Sequence, residues 1–157
     1  MGIVAAAATP TNARQRLFLL ARSKNANVVE YAASVSPDQL LSKARPLTAS
    51  WIMRAEDGRR ERLGDLERLA YGFSVTVLRS RRVYELTLKA FPDRPIKIVR
   101  RGKRYVGELA IGGVMSRLVR IFVHEREGIL EPTVESIELF GVALATGRAT
   151  HERVVRH

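Results

Sequence analysis

The chain contains no cysteine. That removes disulfide frameworks, thiolate metal sites and cysteine nucleophiles together. Aromatics are scarce, ten among 157 residues with a single tryptophan. Five of them, Phe73, Tyr84, Phe91, Phe122 and Phe140, fall in apolar runs and are expected in the core, which leaves few rings as stacking platforms for bases. No run approaches the roughly 20 apolar residues of a membrane-spanning helix. The opening MGIVAAAATPTNARQR has only about seven apolar residues with no cation ahead of them, a poor secretory leader, and Ala6 stands where a myristoylation signal needs Ser or Thr. The expectation is a cytoplasmic protein; a start further upstream would admit a periplasmic or membrane-associated one.

What is present is an ordinary globular composition, 46% hydrophobic and 27% charged in 157 residues. That length suits one core burying about two thirds of the unfolded surface. Residues 1–15 read as a flexible lead without periodicity, and residues 16–157 as a single domain.

Charge is the second positive feature. Net charge is +11, from 27 basic and 16 acidic residues. The excess is spread as +4 over residues 1–50, +5 over 51–100 and +2 over 101–157, so there is no basic tail. Such a field concentrates polyanions, whether nucleic acid, an anionic membrane surface or an acidic protein. Arginine supplies 22 of the 27 cations, a bias that GC-rich coding would also produce.

Residues 17–22 (LFLLAR) and 27–34 (NVVEYAAS) predict two strands joined by a polar turn. A proline-containing loop follows, with one helical turn at Pro37 to Leu41, and then a strand over SWIMRA (50–55) ended by Asp57-Gly58. GRRERLGDLERLAYG places Leu63, Leu66, Leu69 and Ala70 at helical spacing with Gly72 as the stop, which predicts the one helix. From Phe73 onward everything reads as strand. YELTLKA sets Tyr84, Leu86, Leu88 and Ala90 on one face against Glu85, Thr87 and Lys89 on the other, the pattern of a sheet with one wet face. Arg101-Gly102-Lys103 and Gly112-Gly113 mark hairpins, and Gly147 marks the turn between the last two strands. About nine or ten short strands with one short helix predict a mainly β, antiparallel sandwich or barrel. No βαβ unit, dinucleotide fingerprint or phosphate loop occurs.

Four blocks, RSKNANVVEY, WIMRAEDGRRERLGDLERLAYGF, IGGVMSRLVRIFVH and VESIELFGVALATGRATHERV, resemble an uncharacterised bacterial domain-of-unknown-function family. Its members share SKN-x-N, a tyrosine-tryptophan strand, AYG after a helix, a glycine hairpin and a terminal LFG with TG, in that order. The blocks cover most of residues 22–155. No activity comes with the resemblance. Many relatives carry secretory signals, which this chain is expected to lack, and they tend to have tyrosine where Ser50 stands beside Trp51.

Catalytic chemistry finds little support. Ser23 and Lys24 are adjacent, so on an extended chain they point apart, and a lysine base needs burial. His124, His151 and His157 have no metal-ligand spacing, so a metal site would have to be assembled by the fold. Carboxylate pairs read as solvated charge, with Glu67 a partner for an arginine of the sheet. No catalytic residue, metal or cofactor is expected.

Two site candidates remain. The segment at 22–31 is first a turn, since Asn25 and Asn27 are suited to bonding backbone groups. As a ligand site it would use Arg22, Lys24, Asn25 and Asn27 with Tyr31 and Trp51. The arginine clusters Arg59, Arg60 and Arg62; Arg79, Arg81 and Arg82; and Arg100, Arg101, Lys103 and Arg104 would form an anion or partner surface if the fold joined them. The expected function is a non-catalytic binding or interaction module, an accessory subunit whose basic surface meets an acidic partner. The alternatives are nucleic-acid binding through the arginines and an enzyme or small-ligand binder around Lys24, Asn25, Tyr31 and Trp51.

Overall fold

Alternation in sequence becomes alternation in burial: from Val83 to Leu88 every second residue is buried. The computed structural model describes residues 12–79, 82–126 and 133–155. The strands are β1 (Ala13–Arg22), β2 (Val28–Val35), β3 (Leu47–Ile52), β4 (Arg60–Arg62), β5 (Phe73–Arg79), β6 (Val83–Leu88), β7 (Ile96–Arg101), β8 (Arg104–Ile111), β9 (Val114–Arg126), β10 (Thr133–Ala143) and β11 (Ala149–Val155). One helix, α1 (Asp65–Tyr71), lies between β4 and β5. The strands join in one sheet, ordered β4-β3-β2-β1-β9-β8-β7-β6-β5, with β10 on the other edge of β9 and β11 outside β10. It curls into a half-barrel.

The curl originates on β9. One edge of β9 pairs with β8 over Val114–Arg117 and then with β1 over Arg120–Val123. Between these stretches the ladder to β10 slips, with Arg120 opposite Phe140 and Leu118 opposite Gly141, leaving Val119 as an extra residue. Such a bulge bends and twists a strand, so the sheet folds where β9 changes partner. Gly141 sits at this bend: a β-carbon there would lie 2.6 Å from the Arg117 carbonyl oxygen and 2.6 Å from Ile111 Cδ1.

The expectation of an antiparallel sheet is corrected here. β1 and β9 are parallel, and the sheet is mixed. Alternation reports only which residues face the core; it carries no sign for a neighbour's direction, and the connection from β1 to β9 runs through β2 to β8. Eleven strands are present among the described residues because β4, three charged residues, has no alternation to betray it. Strand begins at Ala13, inside the expected lead, and residues 1–11 lie outside those described. Pro37 to Leu41 forms no helical turn; Ser36 N–H bonds the Leu40 carbonyl at 2.7 Å and Leu41 bridges Val35.

The helix also departs from expectation. Leu66 and Leu69 are 82% and 68% exposed, and Tyr71 is the buried residue of α1. Seven residues make under two turns, and the stripe turned inward is Glu67 and Tyr71, four apart. Leu63 is buried but precedes the helix. The Gly64 N–H donates to Glu67 Oε1 at 2.7 Å, half of a capping box that glycine has no side chain to complete.

Phe18 and Tyr31 stack at 4.8 Å inside the curl, surrounded by fully buried Leu20, Val29, Leu86, Ile98, Ile121 and Leu139. Two aromatics expected there are elsewhere. Phe122 and Phe140 lie half-buried on the outer face, since the bulge sets Arg120 and Phe122 on the wet side of β9. No helix among the described residues is long and apolar enough to cross a membrane.

β11 is tied to the Gly112-Gly113 hairpin by Glu152, which accepts from both terminal nitrogens of Arg94 and from the Gly112 N–H at 2.7 Å. The Arg94 guanidinium, helped by that N–H, draws the carboxyl from 4.5 down to about 2 against the opposing effect of burial. A lowered folded-state pKa contributes stability above the ordinary value and loses it as pH falls through the folded one. Wild type should therefore exceed Glu152→Gln in urea midpoint by a constant margin at neutral pH. The margin should shrink below pH 4.5 and close near pH 2. At the bend, Gly141→Ala should lower stability by about 1–3 kcal/mol, read from the same denaturation curves.

Candidate functional site

The polar segment between β1 and β2 turns as its asparagines suggest. Asn27 N–H donates to Asn25 Oδ1 at 3.0 Å, and Asn27 Oδ1 accepts from Ala55 N–H at 2.9 Å, anchoring the chain beyond β3. Ser23 extends the parallel pairing: its N–H reaches the Val123 carbonyl at 3.0 Å and its Oγ accepts from Glu125 N–H at 3.0 Å.

Arg22 is the centre of this corner. Its guanidinium lies 4.7 Å from the Trp51 ring and 5.4 Å from the Tyr71 ring, and donates to Tyr71 Oη at 3.0 Å and Asn25 Oδ1 at 3.4 Å. Trp51 meets Tyr71 edge to face at 5.5 Å and gives its indole N–H to Glu67. Glu67 thus serves the tryptophan and the helix start, whereas an arginine had been expected as its partner. Tyr31 Oη donates to the Tyr71 carbonyl at 2.7 Å, and Tyr71 Oη to Glu125 at 3.2 Å. Burial pushes both phenols above their ordinary value; for Tyr71 it outweighs the Arg22 hydrogen bond. Of the six residues singled out by sequence, Arg22, Asn25, Asn27, Tyr31 and Trp51 are held in this network or bonded beside it, and Lys24 is exposed.

A second site lies where the half-barrel fails to close. Between the β3/β4 edge and β5 runs a cleft of about 770 Å³, continuous through Arg45, Leu47 and Phe73 with a second of about 580 Å³. Leu47, Ala49, Leu63 and Phe73 line it with apolar surface, and Arg14, Arg45, Arg60, Arg62, Arg68 and Lys89 with charge. Glu61 is the one carboxylate among the described lining residues, already bonded by Arg59 at 2.7 Å. Arg60 is engaged with buried Glu30 and Ser50, and Arg68 stands 3.8 Å from Asp65. Among the described residues, Arg14, Arg45, Arg62 and Lys89 have no carboxylate within ion-pair distance.

Glu30, only 3% exposed, backs this region. Burial would raise its pKa, but hydrogen bonds and charge from Arg16 and Arg60, both at 2.7 Å, hold it below the ordinary value.

The described members of the three arginine clusters sit on different elements. Arg60 and Arg62 reach the cleft, while Arg59 is bound by Glu56, Asp57 and Glu61. Arg79 ends β5, Arg82 is exposed at the start of β6, and Arg81 lies outside the described residues. Arg100 bonds the Gly102 carbonyl of its own hairpin, Arg101 forks onto buried Glu108 at 2.6 and 3.1 Å, and Lys103 and Arg104 are exposed. Arg14, Arg45, Arg68 and Lys89 were not legible as site residues, because each stands apart in sequence and only the curl collects them.

The outer face carries a further group. His124 and His151 each approach a different oxygen of Glu138 at 3.2 Å. On the ladder His124 faces Ser136 and His151 faces Phe140, so Glu138 is the diagonal neighbour of both. Hydrogen bonds from His151 and then His124 lower the Glu138 pKa. Arg120 lies 4.5 Å from the Phe140 ring and 5.8 Å from that of Phe122. Among the described residues no cluster of His, Cys, Asp and Glu is placed to hold a metal ion. His157 lies outside them.

The Arg22 corner depends on a flat cation packed against two rings that also touch each other. Arg22→Ala should cost about 1–3 kcal/mol in urea denaturation, and Arg22→Lys should recover less than half, because ammonium cannot stack and bond in that plane.

No curated protein and no solved structure matches the chain. A family profile does, over residues 18–153, from within β1 to within β11. The chain belongs to that family, DUF4833, a domain of unknown function.

Proposed function

We propose that this chain is a non-catalytic binding module, acting as an accessory subunit, whose basic cleft receives an acidic partner protein. The observation that carries the reading is the set Arg14, Arg45, Arg62 and Lys89, four cations without carboxylate partners among the described residues, around a cleft with an apolar floor. Unpaired cations beside apolar surface favour a ligand that brings carboxylates and buries carbon at once. The polar groups of the Arg22 corner, by contrast, spend their hydrogen bonds on the protein itself, with the buried Arg22 Nε–H the exception.

A second reading, nucleic-acid binding, has one observation in its favour. Arg120 with Phe122 and Phe140 on the outer face combines a cation with half-buried rings, as single-strand binding surfaces do.

The two separate in one experiment. Fluorescence anisotropy with labelled oligoglutamate and with a labelled single-stranded oligonucleotide should show the protein binding the former. Arg14→Glu combined with Arg62→Glu should weaken that binding more than tenfold, while Arg120→Glu should change it less than twofold. Oligonucleotide binding that is tighter, falls steeply between 50 and 200 mM salt and depends on Arg120 would overturn the proposal in favour of the second reading.

A further inference from the structure

The sheet has three edge strands among the described residues, β4, β5 and β11, and they are not equally protected. Charged residues at exposed edges discourage pairing with another chain. β4 is Arg60, Glu61 and Arg62 throughout, and β11 carries His151, Glu152 and Arg153 at its centre. β5, FSVTVLR, has no charge before its last residue, no proline, and no ladder irregularity before Val77. Val77 and Leu78 are 57% and 46% exposed.

The hydrogen-bond register shows which backbone groups that edge offers. Lys89 N–H donates to the Gly72 carbonyl, so pairs two residues further on, Ser74 with Thr87 and Thr76 with Glu85, are the bonded pairs of the β5–β6 ladder. The N–H and C=O groups of Phe73, Val75 and Val77 therefore point away from β6, toward the seam. Across the seam the same reasoning applies to β3. Ser34 N–H bonds the Pro46 carbonyl, which directs the main-chain groups of Leu47 and Ala49 away from β2, and β4 covers β3 only from Ser50 to Ile52. Among the described residues, both rails of the cleft are thus unpaired strand edges, one of them unprotected.

We infer that the cleft takes its partner as an added β-strand: an extended segment alternating acidic and apolar residues, paired to the free edge of β5. This rests on the proposed acidic partner and names the form in which it binds. Alternation is required because successive side chains of a strand face opposite ways. One set would meet Leu47, Leu63 and Phe73, and the other Arg45, Arg62 and Lys89. Main-chain hydrogen bonds would supply the pairing and the cations the choice of segment. A second copy of this chain fits poorly at the same edge, since its own cations would face these.

The probe is an eight-residue peptide of alternating glutamate and valine, blocked at both ends. Wild type should bind it, and amide hydrogen exchange at Val75 and Val77 should slow at least tenfold. N-methylation of every second peptide nitrogen, in the register whose N–H groups face β5, should weaken binding at least tenfold, with methylation in the other register as control. Val75→Pro removes an N–H that no neighbour among the described residues uses, so it should keep the fold by circular dichroism yet lose binding to the same degree. Binding that depends on Arg14 and Arg62 but ignores both N-methylation registers and leaves those amides unprotected would overturn strand addition alone. Absence of any binding by wild type would overturn the acidic-partner reading with it. Concentration-dependent dimerisation of the free chain that is lost in Val75→Pro would assign the edge to a second copy and overturn the inference.

Discussion

A single strand cannot be flanked on one edge by two others at the same height, and β9 resolves this by taking them in turn. Its first stretch pairs with β8 and its later stretch with β1, while β10 accompanies it along the other edge. The extra residue at Val119 and the missing side chain at Gly141 permit the bend at that exchange. The two limbs of the sheet then face one another across Phe18, Tyr31, Leu86 and Ile98, and a core exists. The open seam has the same origin, because a sheet bent at its middle leaves its outermost strands, β3/β4 and β5, facing each other without contact along a ladder.

The Arg22 corner braces one end of this arrangement. It joins the β1–β2 turn, β3 through Trp51, α1 through Glu67 and Tyr71, and β9 through Glu125. A cation packed against two rings still bonds a hydroxyl and an amide, which suits a junction where four elements meet and each brings polar backbone. The sequence block that first attracts notice is thus held by contacts far from it in the chain, and its residue types follow from that: asparagines for the turn, serine for the ladder's end, arginine for the stack.

Cations were legible in number but not in arrangement. The net charge and the arginine clusters stand in the sequence, yet in the β7–β8 hairpin Arg101 is spent on Glu108 and Arg100 on its own loop. The cleft instead draws Arg14 from the start of β1, Arg45 from a loop, Arg68 from α1 and Lys89 from just past β6. Each looked like an isolated solvated charge. Likewise hydrophobicity alone places Phe122 and Phe140 in the core, whereas a one-residue slip moves Phe122 to the wet face and Phe140 alternates outward from buried Leu139.

Local features were determined by the amino-acid sequence alone: strands wherever apolar and polar residues alternate, turns at Gly58, Gly102, Gly112-Gly113 and Gly147, an asparagine turn at 25–27, and a positive field. These depend on steric and solvation preferences of residues close in the chain. Tertiary structure decided the rest, namely the parallel pairing of β1 with β9, the shortness of α1, the gathering of cations about the seam and the meeting of His124 and His151 on Glu138. The pairing, the seam and the histidine pair all need partners 13 or more residues apart, and side-chain periodicity carries no information about which distant strand will lie alongside, or in which direction it will run.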